Sequence, residues 1–225
     1  MHFPTTCIDH FFKYPDAVRK YANTLNFQPQ PEGRWPGQRT KELHLENDTL
    51  FNYTCQKYLH NFYTTDQLKG TYRNVGYKAL MYFQKVSSEY DKGWVHSDVP
   101  YVHTTIIYLT PNASLNSGTS LFRPKESEGV ILSTKNNLKK RQFYLDQITA
   151  EESEKYRLED NGNFEETVRF SNVYNRCIGF DGSNWHSANS FAQDSKEEER
   201  LTLIIFWMEI TGPQTGLQRT QMEVF

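Results

Sequence analysis

Hydrophobic positions change their period about a third of the way along the chain. In the first part they recur at helical spacing. After Tyr14-Pro15-Asp16, the residues Val18, Tyr21, Ala22 and Leu25 share one face and predict a helix to about Leu25. Asn47-Asp48-Thr49 can cap a second helix carrying Leu50, Tyr53, Tyr58 and Leu59 and ending near Phe62. Thr6 to Phe12 read as a short opening strand. From Thr71 onward the runs TYRNVGYKALMYFQKV, VHTTIIYLT, TSLFRP, VYNRCIGF and RLTLIIFWMEI are rich in β-branched and aromatic residues. Turn signals such as Asn116-Ser117-Gly118 and Asp181-Gly182-Ser183 separate them. Several short strands joined by turns predict a mainly β (α+β) fold, a double-sheet jelly roll buttressed by N-terminal helices. The expected division is helical support over 1–70 and a jelly-roll core over 71–210, with a polar insert at about 123–170. That insert should be helical around Ala150 to Leu158, and its charge runs, Lys139-Lys140-Arg141 and Glu151-Glu152, read as a solvated face.

Composition narrows this picture in three ways. At 225 residues with 37% hydrophobic and 15% aromatic content, the chain can bury one sizeable core, so residues 1–225 are expected to form a single domain. The 25 basic and 27 acidic residues are interspersed, so no basic field favours nucleic acid. Nothing near 18 uninterrupted apolar residues occurs, and the N-terminus lacks the order of a signal peptide, which points to a cytoplasmic protein with no membrane partner. Cys7, Cys55 and Cys177 are too far apart for a CxxC metal site, and their odd number argues against a disulfide framework.

The chemistry concentrates around Trp94-Val95-His96-Ser97-Asp98-Val99-Pro100-Tyr101. On a strand, His96 and Asp98 would point the same way and offer an imidazole and a carboxylate to one ion. His186 supplies a third ligand, giving a two-histidine, one-carboxylate triad that leaves positions open and suits ferrous iron. Spacing alone leaves His103 as a rival ligand. Arg200 opens an apolar strand, where a charge is costly unless paired, and its planar fork matches a carboxylate. Thr202, two residues on, shares its face. The loop from Gln28 to Thr40 carries Arg34, Trp35 and Arg39 and reads either as a connector or as the rim of a site. With Trp94 and Tyr101, Trp35 and Arg39 form a candidate substrate entrance suited to a polar or anionic molecule with some apolar body.

These stretches carry a family resemblance. HSD, TTIIYLTPNASLNSGTSLFRP and YNRCIGFDGSNWHSANSFAQDSKEEERLTLIIFW resemble the Fe(II)- and 2-oxoglutarate-dependent dioxygenases of the prolyl-hydroxylase-like branch, and a group of small oxygenases of bacteria and phages within it. The resemblance runs from about Tyr72 to Glu209 and implies a double-stranded β-helix. It also implies that His96, Asp98 and His186 bind the metal, and that Arg200, Thr202 and Tyr108 hold the far carboxylate of 2-oxoglutarate. The implied partners are dioxygen and a small-molecule or peptide substrate, which is hydroxylated with release of succinate and CO2. The chain departs from prolyl hydroxylases in having Ser117 where they usually have the first of two glycines, and Arg200 where many have lysine. A metal-binding, cupin-like module without activity is the alternative, and the pairing of the triad with Arg200 speaks against it. A hydrolase built on Ser97 ranks last, since neighbouring strand residues face opposite ways.

Overall fold

A computed structural model describes residues 4–70, 75–125, 134–191 and 199–212. Thr71–Asn74 of the first long strand run, Glu197-Glu198 and the start of the insert, residues 126–133, lie outside the described residues.

The architecture is two antiparallel sheets facing each other. The larger sheet is ordered β1-β8-β5-β10-β4-β3-β2. Its members are β1 (Thr6–Ile8), β2 (Gln28–Pro29), β3 (Gln38–Arg39), β4 (Gly76–Val86), β5 (His103–Tyr108), β8 (Cys177–Asp181) and β10 (Arg200–Thr211). The smaller sheet is ordered β7-β6-β9, from β7 (Phe164–Phe170), β6 (Thr119–Pro124) and β9 (Trp185–Ala188). A single bridge from His96 to His186 extends its β9 edge.

β10 shows why a strand sandwiched on both faces reads as an apolar run without alternation. Leu201, Leu203, Ile205 and Trp207 face a core shared with the helices, while Ile204 and Phe206 join Ile106, Tyr108, Leu121 and Phe180 between the sheets. The helix side is built by α1 (Pro15–Ala22), α2 (Leu43–Glu46), α3 (Asp48–Leu59) and α4 (Thr65–Leu68). Helix α1 starts at a proline with Asp16 in its first turn and Arg19 and Lys20 in its last, each placed to suit the helix dipole. Helix α3 is capped as expected: Asn47 Oδ1 accepts from Leu50 N at 2.9 Å.

Four expectations are corrected. The predicted insert contains a sheet strand, β7, whose five central residues are exposed, which hides it from a search for apolar runs. It also contains α5 (Thr134–Tyr144), which lacks an apolar stripe but buries Phe143 and Tyr144 against Trp94; α6 (Ala150–Asn161), capped by Thr149, falls where a helix was expected. The loop from Gln28 to Thr40 is no free connector, because β2 and β3 pair with each other and β3 pairs with β4. Finally, His96 and Asp98 do not share a regular strand. His96 is an isolated bridge residue and Asp98 begins a turn, with Tyr101 N donating to its carbonyl at 2.9 Å.

Candidate metal centre and adjoining cavities

The two histidines meet because their backbones pair. His96 N donates to His186 O at 3.0 Å and His186 N to His96 O at 2.8 Å, which puts the rings 4.4 Å apart between centroids. Asp98 is anchored separately, its N–H donating to Gly182 O at 2.8 Å. A ligand atom from each of the three lies within 4.8 Å of the others.

Each ring is held in one tautomer. His96 Nδ1–H donates to Trp94 O at 2.8 Å, and His186 Nδ1–H donates to Asn184 O at 2.9 Å. Both Nε2 atoms therefore face Asp98, at 3.7 Å from Oδ1 for His96 and 3.3 Å from Oδ2 for His186. Backbone acceptors on the remote nitrogen are what orient imidazoles around metal ions. Thr104 Oγ1 donates to Asp98 Oδ2 at 2.7 Å and fixes the carboxylate.

Charges in the cluster are coupled. Burial pushes His96 down to about 3, helped by the neighbouring His186 and opposed by Asp98. Burial also acts to raise Asp98, but His186, His96 and Thr104 outweigh it and hold the carboxyl well below its usual range. Burial would lower His186 as well, yet contact with Asp98 prevails and raises it. The cluster thus offers one ionised carboxylate and one neutral imidazole, while the same carboxylate raises the proton affinity of the second imidazole, so that a metal there competes with a proton.

The rival histidine is elsewhere. His103 stands on the opposite face of β5 from Thr104, and its Nε2 lies 2.5 Å from Tyr58 Oη within the helix-facing core. Its register opposite Trp207 explains the burial.

A cavity of about 110 Å³ runs from the triad to Arg200 and Thr119. Arg200 is buried, and its Nε donates to Ser117 O at 2.9 Å. Among the described residues its Nη2 has no hydrogen-bond partner, and neither does Thr202 Oγ1. The Tyr108 ring lies 5.4 Å from the guanidinium carbon, and its hydroxyl donates to Thr119 Oγ1 at 2.9 Å. Ser117 is fitted to its place: its hydroxyl donates to Ser114 O at 2.7 Å, and Asn172 Nδ2 donates to it at 2.9 Å. The next residue must be glycine, since a Cβ on Gly118 would sit 1.8 Å from Phe170 O.

Arg39 borders the same cavity. Its guanidinium lies 4.1 Å over the Trp35 ring and 5.2 Å from that of Phe206, with Nη2 donating to Gln84 Oε1 at 3.3 Å. A second cavity, of about 580 Å³, also reaches His96 and Asp98 and is lined by Tyr101, whose ring is 4.9 Å from Phe206. Trp94 is buried and lines the inner cavity. Residues missed by sequence reasoning are Thr104, Gln84, Phe206 and, from the insert helix α5, Lys140 and Tyr144. The run Lys139-Lys140-Arg141 is thus not wholly a solvated face, since Lys140 turns towards the triad. Nothing in its local pattern signals this, because the contact depends on where α5 packs.

Comparison with known proteins places this geometry in a family. A sequence profile matches residues 2–207, nearly the whole described region. The chain belongs to the family of unknown function DUF6445. No curated protein sequence matches it significantly. Among solved structures it is similar to EvdO2 from Micromonospora carbonacea var. aurantiaca, with TM-score 0.54 and 10% identity over 93% of this chain and 88% of that one. It is also similar to HygX from Streptomyces hygroscopicus, with TM-score 0.51 and 10% identity over 93% and 82% of the two chains. That protein has been crystallised with nickel, 2-oxoglutarate and hygromycin B, and with iron. This DUF6445 chain therefore shares the jelly-roll fold of these solved structures. No helix among the described residues is long and apolar enough to cross a membrane.

Proposed function

We propose that this protein is an Fe(II)- and 2-oxoglutarate-dependent dioxygenase that hydroxylates a small-molecule or peptide substrate, releasing succinate and CO2. The observation that carries the reading is the meeting, in one cavity, of the triad His96, Asp98 and His186 with a buried arginine whose Nη2 is unsatisfied. A buried guanidinium with an open donor is costly unless a ligand completes it, so a binding barrel without a co-substrate has no use for Arg200.

The donor set fits the metal. His96, Asp98 and His186 would hold ferrous iron, since two imidazole nitrogens and one carboxylate suit that ion and leave it open to further ligands. Iron bound there would activate dioxygen, and oxidative decarboxylation of 2-oxoglutarate would supply two of the four electrons the gas requires, the substrate C–H bond supplying the rest. The chain itself orients and excludes water. Arg200 would take the far carboxylate of 2-oxoglutarate through its open Nη2, with Thr202 and Tyr108 beside it. Trp94 O and Asn184 O keep both Nε2 atoms free for the metal, and Thr104 keeps Asp98 turned towards it. Phe206, Trp35 and Tyr144 narrow the approach and keep bulk water from the reacting centre.

Anaerobic titration of Fe(II) and then 2-oxoglutarate tests this, because the chelate gives a visible charge-transfer band that a metal-only site lacks. Oxygen exposure should then yield succinate. Absence of the band, with Fe(II) bound, would reduce the protein to a metal-binding module.

A further inference from the structure

This inference rests on the reading above and names the class of substrate. Among the described residues, charge around the two cavities does not balance. Along the inner cavity Asp98 faces Arg39, Lys140 and Arg200, and a fourth cation, Arg34, also lines it. On its outer side Arg34 is paired with Glu32, and Lys41 and Glu46 offset each other along the second cavity. A divalent ion and a dianionic co-substrate cancel, so binding both leaves the surplus where it was. Asp160 is close enough to act on Lys140, yet even if its charge is assigned wholly to that lysine, one positive charge remains.

Arg39 is where that charge is exposed to a ligand. Its guanidinium lies over the rings of Trp35, Phe206 and Tyr82, and its only side-chain hydrogen bond among the described residues is the long one to Gln84. Its Nε is buried without a partner. No carboxylate lies within ion-pair distance of it or of Lys140 among the described residues, although both sit near enough to Asp98 to feel its charge. Burial lowers the Arg39 guanidinium to about 10, so it stays charged at neutral pH. Arg39, Trp35 and Phe206 border both cavities, which puts this guanidinium between the outer cavity and the triad.

We propose that Arg39 receives an anionic group of the prime substrate, with Lys140 adding a second positive charge, so that the substrate is a carboxylate carried on an apolar or aromatic body. The aromatic walls, Trp35, Tyr82, Tyr101 and Phe206, take the body, and the guanidinium edge takes the anion.

The test uses protein loaded with Mn(II) and 2-oxoglutarate in the absence of oxygen, and the metal-free protein beside it. A panel of N-acyl amino acids and arylacetates, with N-benzoylglycine and indole-3-acetate among them, is titrated against the matching neutral primary amides by calorimetry. Carboxylates should bind more tightly than their amides by roughly tenfold or more, the scale of a charge-assisted hydrogen bond. Arg39→Gln should erase that preference while leaving Mn(II) and 2-oxoglutarate affinities within about twofold, and Lys140→Gln should reduce it by roughly threefold. Arg39→Lys, which keeps the charge, should restore part of it and guards against mere misfolding. The proposal is overturned if no carboxylate in the panel binds, if amides bind equally well, or if the preference survives in the Arg39→Gln/Lys140→Gln double variant. Loss of 2-oxoglutarate affinity in Arg39→Gln equal to that in Arg200→Gln would overturn it too, by assigning Arg39 to the co-substrate. Failure of wild-type protein to bind Mn(II) and 2-oxoglutarate would instead sink the oxygenase reading, with the carboxylate preference of the metal-free protein still deciding the role of Arg39.

Discussion

His103 and the pair His96–His186 stand close in sequence or in space, yet they sit in different chemistry. All three are lowly exposed or half-buried, and all three make a short hydrogen bond. What separates them is which nitrogen is engaged and by what. His103 places Nε2 against a tyrosine hydroxyl inside the helix-facing core, so the outer ring nitrogen is used in packing. His96 and His186 spend Nδ1 on backbone carbonyls and leave Nε2 facing a carboxylate. A histidine is thus a candidate ligand or a core polar group according to its second hydrogen bond, and residue type or exposure does not decide between them.

Metal affinity breaks this comparison most directly. His186→Ala or Asp98→Ala should lower Mn(II) or Fe(II) affinity by roughly a thousandfold, about 4 kcal/mol, because one of three protein ligands is lost. His103→Gln should leave it within about threefold, or 0.6 kcal/mol. Calorimetric titration checks both, and a strong effect of His103 with none of His186 would reverse the assignment.

The next effect concerns the inward row of β10. Arg200→Gln removes a charge-assisted contact while leaving the metal, so 2-oxoglutarate affinity should fall by about 2–3 kcal/mol with Fe(II) binding retained. Unchanged affinity in a folded variant would remove Arg200 from the site.

The third prediction sharpens the contrast on the core side. Burial pushes His103 down to about 3, whereas in the unfolded chain an ordinary histidine titrates near 6.5. Between those values the unfolded state binds a proton that the folded state refuses, so unfolding gains a proton and stability falls as pH drops through that window. The His103 share is about 1.4 kcal/mol per pH unit, or roughly 2 kcal/mol from pH 6.5 to 5. Urea unfolding of metal-free wild type and His103→Gln should show a slope shallower by that amount in the variant. Equal slopes would mean that His103 is protonated in the folded state.

Much of this was legible in the sequence because the signals are local. The β-rich second half, the Asn47 cap and the apolar run of β10 follow from residue pattern, and the three ligand candidates from residue type around strand ends. What was not legible depends on packing at a distance. Strand β7 carries exposed polar residues along its middle, so its sheet membership is set by pairing with β6. The pairing of His96 with His186 spans ninety residues of sequence and replaces the single-strand geometry that the HSD spacing implied. Lys140 lies in an unremarkable charge run, and only the docking of α5 over Trp94 turns it towards the cavity.

The smallest predicted effect tests whether Asp98 is oriented by design. Thr104 is buried on the inner face of β5, one residue from His103 on the outer face, so adjacent positions of one strand serve the two sides of the comparison. Its hydroxyl donates to Asp98 Oδ2, the same oxygen that lies 3.3 Å from His186 Nε2. Thr104→Val keeps the shape and removes the donor, leaving the carboxylate free to rotate and Oδ2 less well satisfied. The fold should survive, since the substituted side chain is the same size and stays among apolar neighbours, while metal affinity should drop by about tenfold, the lower range for a residue that orients a ligand. Thr104→Ser, which retains the hydroxyl, should recover most of the loss. Should Thr104→Val bind Mn(II) as tightly as wild type, the carboxylate is positioned by its backbone anchor to Gly182 alone, and the hydroxyl contributes nothing to the centre.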